Sequence, residues 1–385
     1  MSQLQIKAMF YNDSNKAQDY HTHSMFRYFG KLPPTLTKKI IDYNLEEGKG
    51  KILELMCGSG TTLLESYLSG RSSIGVDVNP LSVLISRVKT TYLDEDILKG
   101  LIEKVKTFLN NNEVNSSYKK YFRPKTHNLD YWFTQDIQDK LSIIKYMIDY
   151  PETYLSKDSL EMEDDLKSLL LVTFASIIRK CSNASPKTGR IFRMSEDNTV
   201  NPFELMIKRL EINAQAVANL PKDGLKPEVY LRDARDTELE KNQFDLIINH
   251  PPYFALYKYS SDVMRFELEW CDFNRKEISS KEIEDGFKTT KAELLDVYVK
   301  DMTDVFKEAR RLLKKNGKLC VVVSDSTLRE EQLPVVESLI KGAESINLRL
   351  HEHFIREVSF TQASYHKSAN PNIKTNEDHV LYFTK

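Results

Sequence analysis

The chain has 385 residues, with 55 Lys and Arg against 56 Asp and Glu and a formal net charge of −1, a sum that excludes a histone-like or basic-tail nucleic-acid binder but not a local basic face. Hydrophobic residues make up 41% and charged residues 29%, enough to bury a core, and 13 Gly with 13 Pro exclude collagen-like and low-complexity classes. No apolar run approaches the ~20 residues of a membrane span, residues 1–11 lack a signal-peptide core, and Cys57, Cys181, Cys271 and Cys320 form no CxxC pair, so the chain reads as a reduced, cytoplasmic protein with no membrane partner and no cysteine metal site.

In chain order, Lys51-Ile-Leu-Glu-Leu55 predicts a buried strand, residues 62–69 a helix stopped by Gly70, and Ser73-Ile-Gly-Val-Asp77 a second strand. Residues 98–220 then interrupt the pattern at far more than crossover length, with helical periodicity at 137–148 and 166–178. Beyond it come a strand candidate ending near Asp233, the strand Phe244-Asp-Leu-Ile-Ile248, a helix over 301–313, and the strand Lys318-Leu-Cys-Val-Val-Val323. Lys314-Lys315-Asn316-Gly317 is expected to close that helix through a left-handed turn. The expected fold is α/β, a parallel sheet with helices on both faces. Residues 1–97 and 221–385 would form its two parts, and 98–220 an inserted helical subdomain with a role in target recognition.

Two sites emerge. Glu54-Leu-Met-Cys-Gly-Ser-Gly-Thr-Thr62 joins a strand to a helix, and glycines at 58 and 60 let backbone approach a ligand. It is neither a GxxxxGK[ST] phosphate loop nor a three-glycine dinucleotide fingerprint. Glycines alone describe a tight turn, and Asp77 alone an N-cap. Together with Asp233 in Tyr230-Leu-Arg-Asp-Ala234 they describe strand ends converging on a crevice, Asp77 suited to ribose hydroxyls and Asp233 to an adenine amino group. The second site is Asn249-His-Pro-Pro-Tyr253. Two prolines stiffen the turn and remove two N–H donors, leaving carbonyl acceptors beside an aromatic face. Such a site suits a flat amine whose nitrogen attacks an electrophile, with catalysis by positioning and by stabilising charge developing on nitrogen.

Cys57-Gly-Ser-Gly-Thr-Thr62 followed by Gly75-Val-Asp-Val-Asn-Pro80 resembles the S-adenosylmethionine site of the DNA amino-methyltransferases, with Glu54-Leu55-Met56 where that family has Asp-Pro-Phe. Tyr28-Phe-Gly-Lys-Leu-Pro-Pro34 resembles the family's upstream segment lining the methionine end of the cofactor, and Pro251-Pro252-Tyr253 its methyl-transfer turn, with His250 replacing Asp, Asn or Ser. The resemblance implies a Rossmann-like class I methyltransferase sheet and S-adenosyl-L-methionine as cofactor. It places Tyr28, Lys31, Pro33, Glu54, Cys57, Gly58, Gly60, Thr61, Asp77, Val78, Asp233, Ala234 and Asn249 around the cofactor, and His250, Pro251, Pro252 and Tyr253 around the target amine. The target would be a base flipped from double-stranded DNA. The residues flanking the turn, Asp245-Leu-Ile-Ile-Asn249 and Phe266-Glu-Leu-Glu-Trp270, resemble the branch that modifies N4 of cytosine, which is favoured slightly over N6 of adenine. An RNA base methyltransferase and an inactive cofactor-binding recognition subunit remain alternatives, as does a cognate restriction or defence-system partner. The tail, with Ser368-Ala-Asn-Pro-Asn372 and Glu377-Asp-His379, also resembles family members and has no assigned role.

The near-zero charge hides segregation. Residues 115–129 carry Lys119, Lys120, Arg123 and Lys125 with no acid, and residues 179–193 carry Arg179, Lys180, Lys187, Arg190 and Arg193 with no acid, whereas 152–165 holds six acids and one Lys. The basic segments also carry Tyr118, Tyr121, Phe122 and Phe192, a composition suited to phosphate contact and base stacking. The nucleic-acid residues expected are Lys119, Lys120, Arg123, Arg179, Lys180, Lys187, Arg190 and Arg193. The i, i+2 pairs His21/His23 and His351/His353 read as ordinary packed or surface histidines rather than metal ligands.

Overall fold

The structure is a computed structural model that describes residues 6–8, 18–155, 163–186, 188–254, 258–283, 291–328, 331–357 and 377–385. Its strands are β1 (Ile6–Ala8), β2 (Lys51–Glu54), β3 (Ser72–Asp77), β4 (Glu228–Leu231), β5 (Phe244–Asn249), β6 (Leu313–Val323), β7 (Ser326–Leu328), β8 (Glu331–Leu333), β9 (Arg349–Glu357) and β10 (Glu377–Thr384). Among the described residues, eight of them form one sheet in the order β1-β9-β10-β6-β5-β2-β3-β4, and β7 and β8 pair separately. The run β4-β3-β2-β5-β6 is parallel throughout, and β10 lies antiparallel between β6 and β9. This is the expected Rossmann-like sheet. Strand order reverses between β2 and β5, and such a switch point opens a crevice at the carboxyl ends of the strands.

The helices are α1 (Pro34–Asn44), α2 (Thr61–Leu68), α3 (Pro80–Lys89), α4 (Glu95–Asn112), α5 (Ser116–Lys119), α6 (Leu129–Trp132), α7 (Gln135–Asp149), α8 (Glu163–Cys181), α9 (Pro202–Ala218), α10 (Arg265–Trp270), α11 (Arg275–Lys281), α12 (Lys291–Leu312) and α13 (Val335–Ser345). Helices cover both faces of the sheet, so consecutive residues such as Ile247 and Ile248 are both buried and β5 cannot alternate polar with apolar. On one face, Tyr298, Met302 and Phe306 of α12 and Leu339 of α13 meet Leu53, Ile247, Leu319 and Val321; on the other, Leu36 and Ile40 of α1 meet Ile52, Ile248 and Val322. The helices of residues 95–218 share a third core with α2 and α3, in which Leu64, Leu81 and Ile85 lie in one cluster with Leu141, Leu170 and Phe174.

Residues 314–317 depart from expectation. β6 follows α12 directly, the pairing with β5 slips between Phe244 and Leu246, and neither Asn316 nor Gly317 is left-handed. Gly317 is required by proximity instead, since a Cβ there would stand 2.7 Å from the Phe244 carbonyl oxygen. Gly70 does take the left-handed conformation, at φ +65°, where α2 ends.

Candidate active site

The chain leaves β2 at Glu54 and turns into α2. Cys57 N–H donates to the Val76 carbonyl (2.9 Å) and Gly60 N–H to the Cys57 carbonyl (2.6 Å), with Gly58 and Gly60 at φ +48° and +70°. A Cβ on Gly60 would lie 2.6 Å from Ser86 Oγ and 2.9 Å from Ser86 Cα, and one on Gly58 would press the Tyr28 ring at 3.2 Å. Conformation and contact therefore both demand glycine at 60. Gly58 N–H and Asn79 N–H each donate to Asp77 at 2.8 Å, which holds the carboxylate at the end of β3 against the loop. Asn79 also caps α3 by accepting from Leu81 N–H at 3.0 Å.

This loop is lined by buried polar groups of unspent capacity. Glu54 Oε2, Ser59 Oγ and Thr61 Oγ1 are buried with no hydrogen-bond partner among the described residues. Burial raises Glu54 to about 8 and Asp77 to about 6, and pushes the Cys57 thiol well above its ordinary value, so Cys57 is held as a neutral thiol. Beneath the loop, buried Lys89 donates to the Ser59 carbonyl at 2.7 Å, and burial lowers its ammonium to about 7. Tyr28 stacks on Tyr259 at 5.4 Å, and Tyr259 OH donates to the Phe29 carbonyl at 2.8 Å, closing one wall.

β5 delivers Asn249, fully buried with both amide atoms unpartnered among the described residues, and then His250. The Pro252 carbonyl, expected to be a free acceptor, accepts from Tyr298 OH at 3.0 Å, so the rigid turn is pinned to α12. Tyr253 meets His250 edge-on (5.4 Å, 88°), with its hydroxyl 3.4 Å from His250 Nε2 and donating to Asp378 Oδ1 at 3.0 Å. Burial lowers His250 to about 4, so the ring is neutral at pH 7.

A cleft at the switch point joins the two halves. Tyr28, Lys31, Glu54, Cys57, Gly58, Thr61, Asp77, Val78, Asp233, Ala234, His250 and Pro252 line it, whereas Pro33, Gly60, Asn249, Pro251 and Tyr253 do not. Pro33 is the N-cap residue of α1, and Lys31 donates to the His23 carbonyl at 3.1 Å. Asp233 is paired with Arg235 through both oxygens, Oδ1 accepting from Nε at 3.0 Å and Oδ2 from Nη2 at 2.7 Å, and Arg235 reaches Asp301 at 3.1 Å. Sequence reading missed Lys258, Tyr259, Lys281 and Glu282 on the same cleft, as no motif marks them. It also missed Lys89, for which a lysine in an otherwise apolar helix face was the available signal.

A family model described as DNA methylase, for N6 and N4 methyltransferases, matches residues 244–385. Type II methyltransferase M.MvaI of Kocuria varians is 26% identical over 251 residues, covering 60% of this chain and 53% of the relative. Residues 244–385 are thus similar to the DNA amino-methyltransferases. Type II methyltransferase M.MjaII of Methanocaldococcus jannaschii is 22% identical, covering 81% of this chain and 73% of the relative. The chain thus spans about half the length of the first of these relatives and about three quarters of the second. A solved SAM-dependent methyltransferase from Methanosarcina mazei aligns over 90% of this chain and 96% of its own at 11% identity, with a TM-score of 0.34, a likeness too low to bear on the site.

The cations expected to meet nucleic acid are placed unevenly. Lys120, Lys180 and Arg190 are exposed, and Lys119 is half-buried at the end of α5. Arg123 is engaged with Asp139 (2.5 Å) and with the carbonyls of Lys119 and Phe122. Arg193 binds Asp197 and the Tyr131 carbonyl and lies over the Tyr131 ring at 4.7 Å, which sets the second basic segment beside the end of the first. Arg179 does not fit the expectation: it is 8% exposed, and its Nη2 donates to the carbonyls of Thr188, Gly189 and Arg190 at 3.0–3.1 Å, so it clamps the loop from inside. Lys187 and residues 366–372 lie outside the described residues. His23 is buried against Glu65 at 2.7 Å and His353 Nε2 meets His379 Nδ1 at 2.8 Å. Among the described residues there is no group of three metal-type side chains, and no helix is long and apolar enough to cross a membrane.

Proposed function

We propose that the chain is a site-specific DNA methyltransferase that moves a methyl group from S-adenosyl-L-methionine to an exocyclic amino group of a base, cytosine N4 in preference to adenine N6. One observation carries the reading: a single cleft joins the glycine loop and Asp77 to His250 and Pro252. Bound S-adenosylmethionine supplies an electrophilic methyl group. Asp77 would accept ribose hydroxyls, Asp233 with Ala234 would meet the adenine, and the unspent Glu54, Ser59 and Thr61 would meet polar groups of the cofactor. Glu54, Ser59 and Thr61 fit it, because each has a buried polar atom with no bond among the described residues.

At the second half, neutral His250 can accept one hydrogen of the target amine without placing a positive charge beside a nitrogen that is itself becoming positive. The Pro-Pro turn, tied to Tyr298, holds the acceptor rigid, and the Tyr253 ring, beside that turn but off the cleft lining, would offer a flat face to an extruded base once the base reaches past Pro252. The preference for cytosine rests on the resemblance of residues 245–249 and 266–270. Duplex DNA is the partner, gripped in part by Lys120, Lys180 and Arg190 of residues 98–220. A cognate restriction or defence nuclease sharing the target sequence is the expected companion, and the cytoplasm, where four buried thiols stay reduced, the expected compartment.

The test is transfer of tritiated methyl groups into plasmid DNA and, separately, into total RNA, with the Tyr253→Ala protein as control. Label in DNA that vanishes in the control is expected, and methylation-sensitive long-read sequencing then identifies base and site. Label confined to RNA, or absent from both while S-adenosylmethionine still binds, overturns the reading.

A further inference from the structure

We propose that Asp378 and Arg356 are positioning residues for methyl transfer: Asp378 sets the direction of the Tyr253 hydroxyl proton and, through it, which ring nitrogen of His250 carries hydrogen. This rests on the methyl-transfer reading above. Asp378 on β10 and Arg356 on β9 face one another in the antiparallel register, are 5% and 4% exposed, and are joined by Arg356 Nη1 donating to Asp378 Oδ2 at 2.6 Å. Ser324 Oγ, just past β6, lies 3.0 Å from Oδ1. A carboxylate held by a guanidinium only accepts. Tyr253 OH, 3.0 Å from Oδ1, therefore gives its single proton to Asp378.

The tyrosine oxygen then presents only lone pairs to His250 Nε2, 3.4 Å away. A bare nitrogen there would set lone pair against lone pair, so the hydrogen of the neutral ring belongs on Nε2. Nδ1 is left as the one acceptor His250 has. An Asp, Asn or Ser oxygen at this position needs no such selection, but an imidazole does, because its two nitrogens exchange roles with the tautomer. The network reaches across 125 residues of chain to make that choice. It also gives a role to the segment Glu377-Asp-His379, for which the sequence alone offered none.

The test reads the tautomer without DNA or turnover. Selective ¹⁵N-histidine labelling and long-range ¹H–¹⁵N correlation spectra, assigned with His250→Asn, should show Nε2–H for His250 in the wild type. Tyr253→Phe, which keeps the ring and leaves the ion pair intact, should give mixed or Nδ1–H tautomers, as should Asp378→Asn. Tyr253→Phe answers the question even where Asp378→Asn fails to fold, since the latter strands Arg356 without its partner. In steady-state methylation Tyr253→Phe should lower kcat in proportion to the share of the wrong tautomer, about twofold for an even mixture and about tenfold once it dominates at roughly nine-tenths, with KM for DNA within about twofold. An Nδ1–H wild type, or a tautomer unmoved by Tyr253→Phe, overturns the proposal. Tautomers as expected in a wild type that methylates no DNA would overturn the function it serves.

Discussion

Replacing Glu54 by Gln should make the protein more stable relative to wild type as pH rises, while weakening its hold on S-adenosylmethionine. Glu54 is 3% exposed, and its Oε2 has no partner among the described residues. Burial raises its carboxyl from 4.5 to about 8. The folded chain thus keeps a proton that the unfolded chain sheds, and the stability this group contributes is fully present below about pH 4.5 and is lost as pH rises toward 8. At about 1.4 kcal/mol per pH unit, wild type forfeits roughly 3 kcal/mol between pH 4.5 and 7 that Gln, which does not titrate, retains. The static cost of burying the amide is the same at both pH values and cancels from the comparison. Urea unfolding of both proteins at pH 4.5, 5.5, 6.25 and 7 measures the gap, which should widen in favour of Gln by roughly 3 kcal/mol. A gap constant to within about 1 kcal/mol across that range would refute the claim that the folded site holds this proton. Isothermal titration should show the same variant binding S-adenosylmethionine at least tenfold more weakly.

Asp77, raised by burial to about 6, must be ionised to accept both ribose hydroxyls, so cofactor affinity should fall by up to about tenfold per pH unit below 6 and be flat above it; flat affinity down to pH 5 contradicts this. His250, lowered to about 4, should leave kcat at saturating cofactor unchanged between pH 5.5 and 7.5, where an ordinary histidine would impose a break near 6.5. Gly60→Ala meets both a left-handed backbone and Ser86 and should cost roughly 2–3 kcal/mol, against about 1 for Gly70→Ala, whose added Cβ meets nothing within 4 Å; equal costs by denaturant titration would remove the steric argument. Arg179→Ala should expose the loop at 185–190 to protease, whereas Arg190→Ala should lower the salt slope of duplex binding by about 1 with little loss of stability. The reverse pattern would exchange the roles given to these arginines.

What was legible in the sequence is what is local. A strand that runs into Gly-Ser-Gly and a helix, an acid closing the next strand, and two prolines before a tyrosine each carry their constraint within a few residues, because missing Cβ atoms and fixed φ angles act on the immediate backbone. The parallel sheet followed from short apolar runs for the same reason. Gly317 shows the limit: its composition suggested a left-handed turn, while the tertiary reason is a neighbouring strand's carbonyl 2.7 Å from its missing side chain. Charge was the least legible. Composition counted Arg179 with the nucleic-acid cations, and only packing shows it turned inward onto three carbonyls. Lys89 reaches under the glycine loop from the end of α3, and the Arg356–Asp378–Tyr253–His250 chain is decided by the sheet, which brings β5, β9 and β10 together across more than a hundred residues. The near-balance of cations and acids set no function by itself. Burial decides which of those charges remain available, because a charge removed from water must find a partner inside the fold.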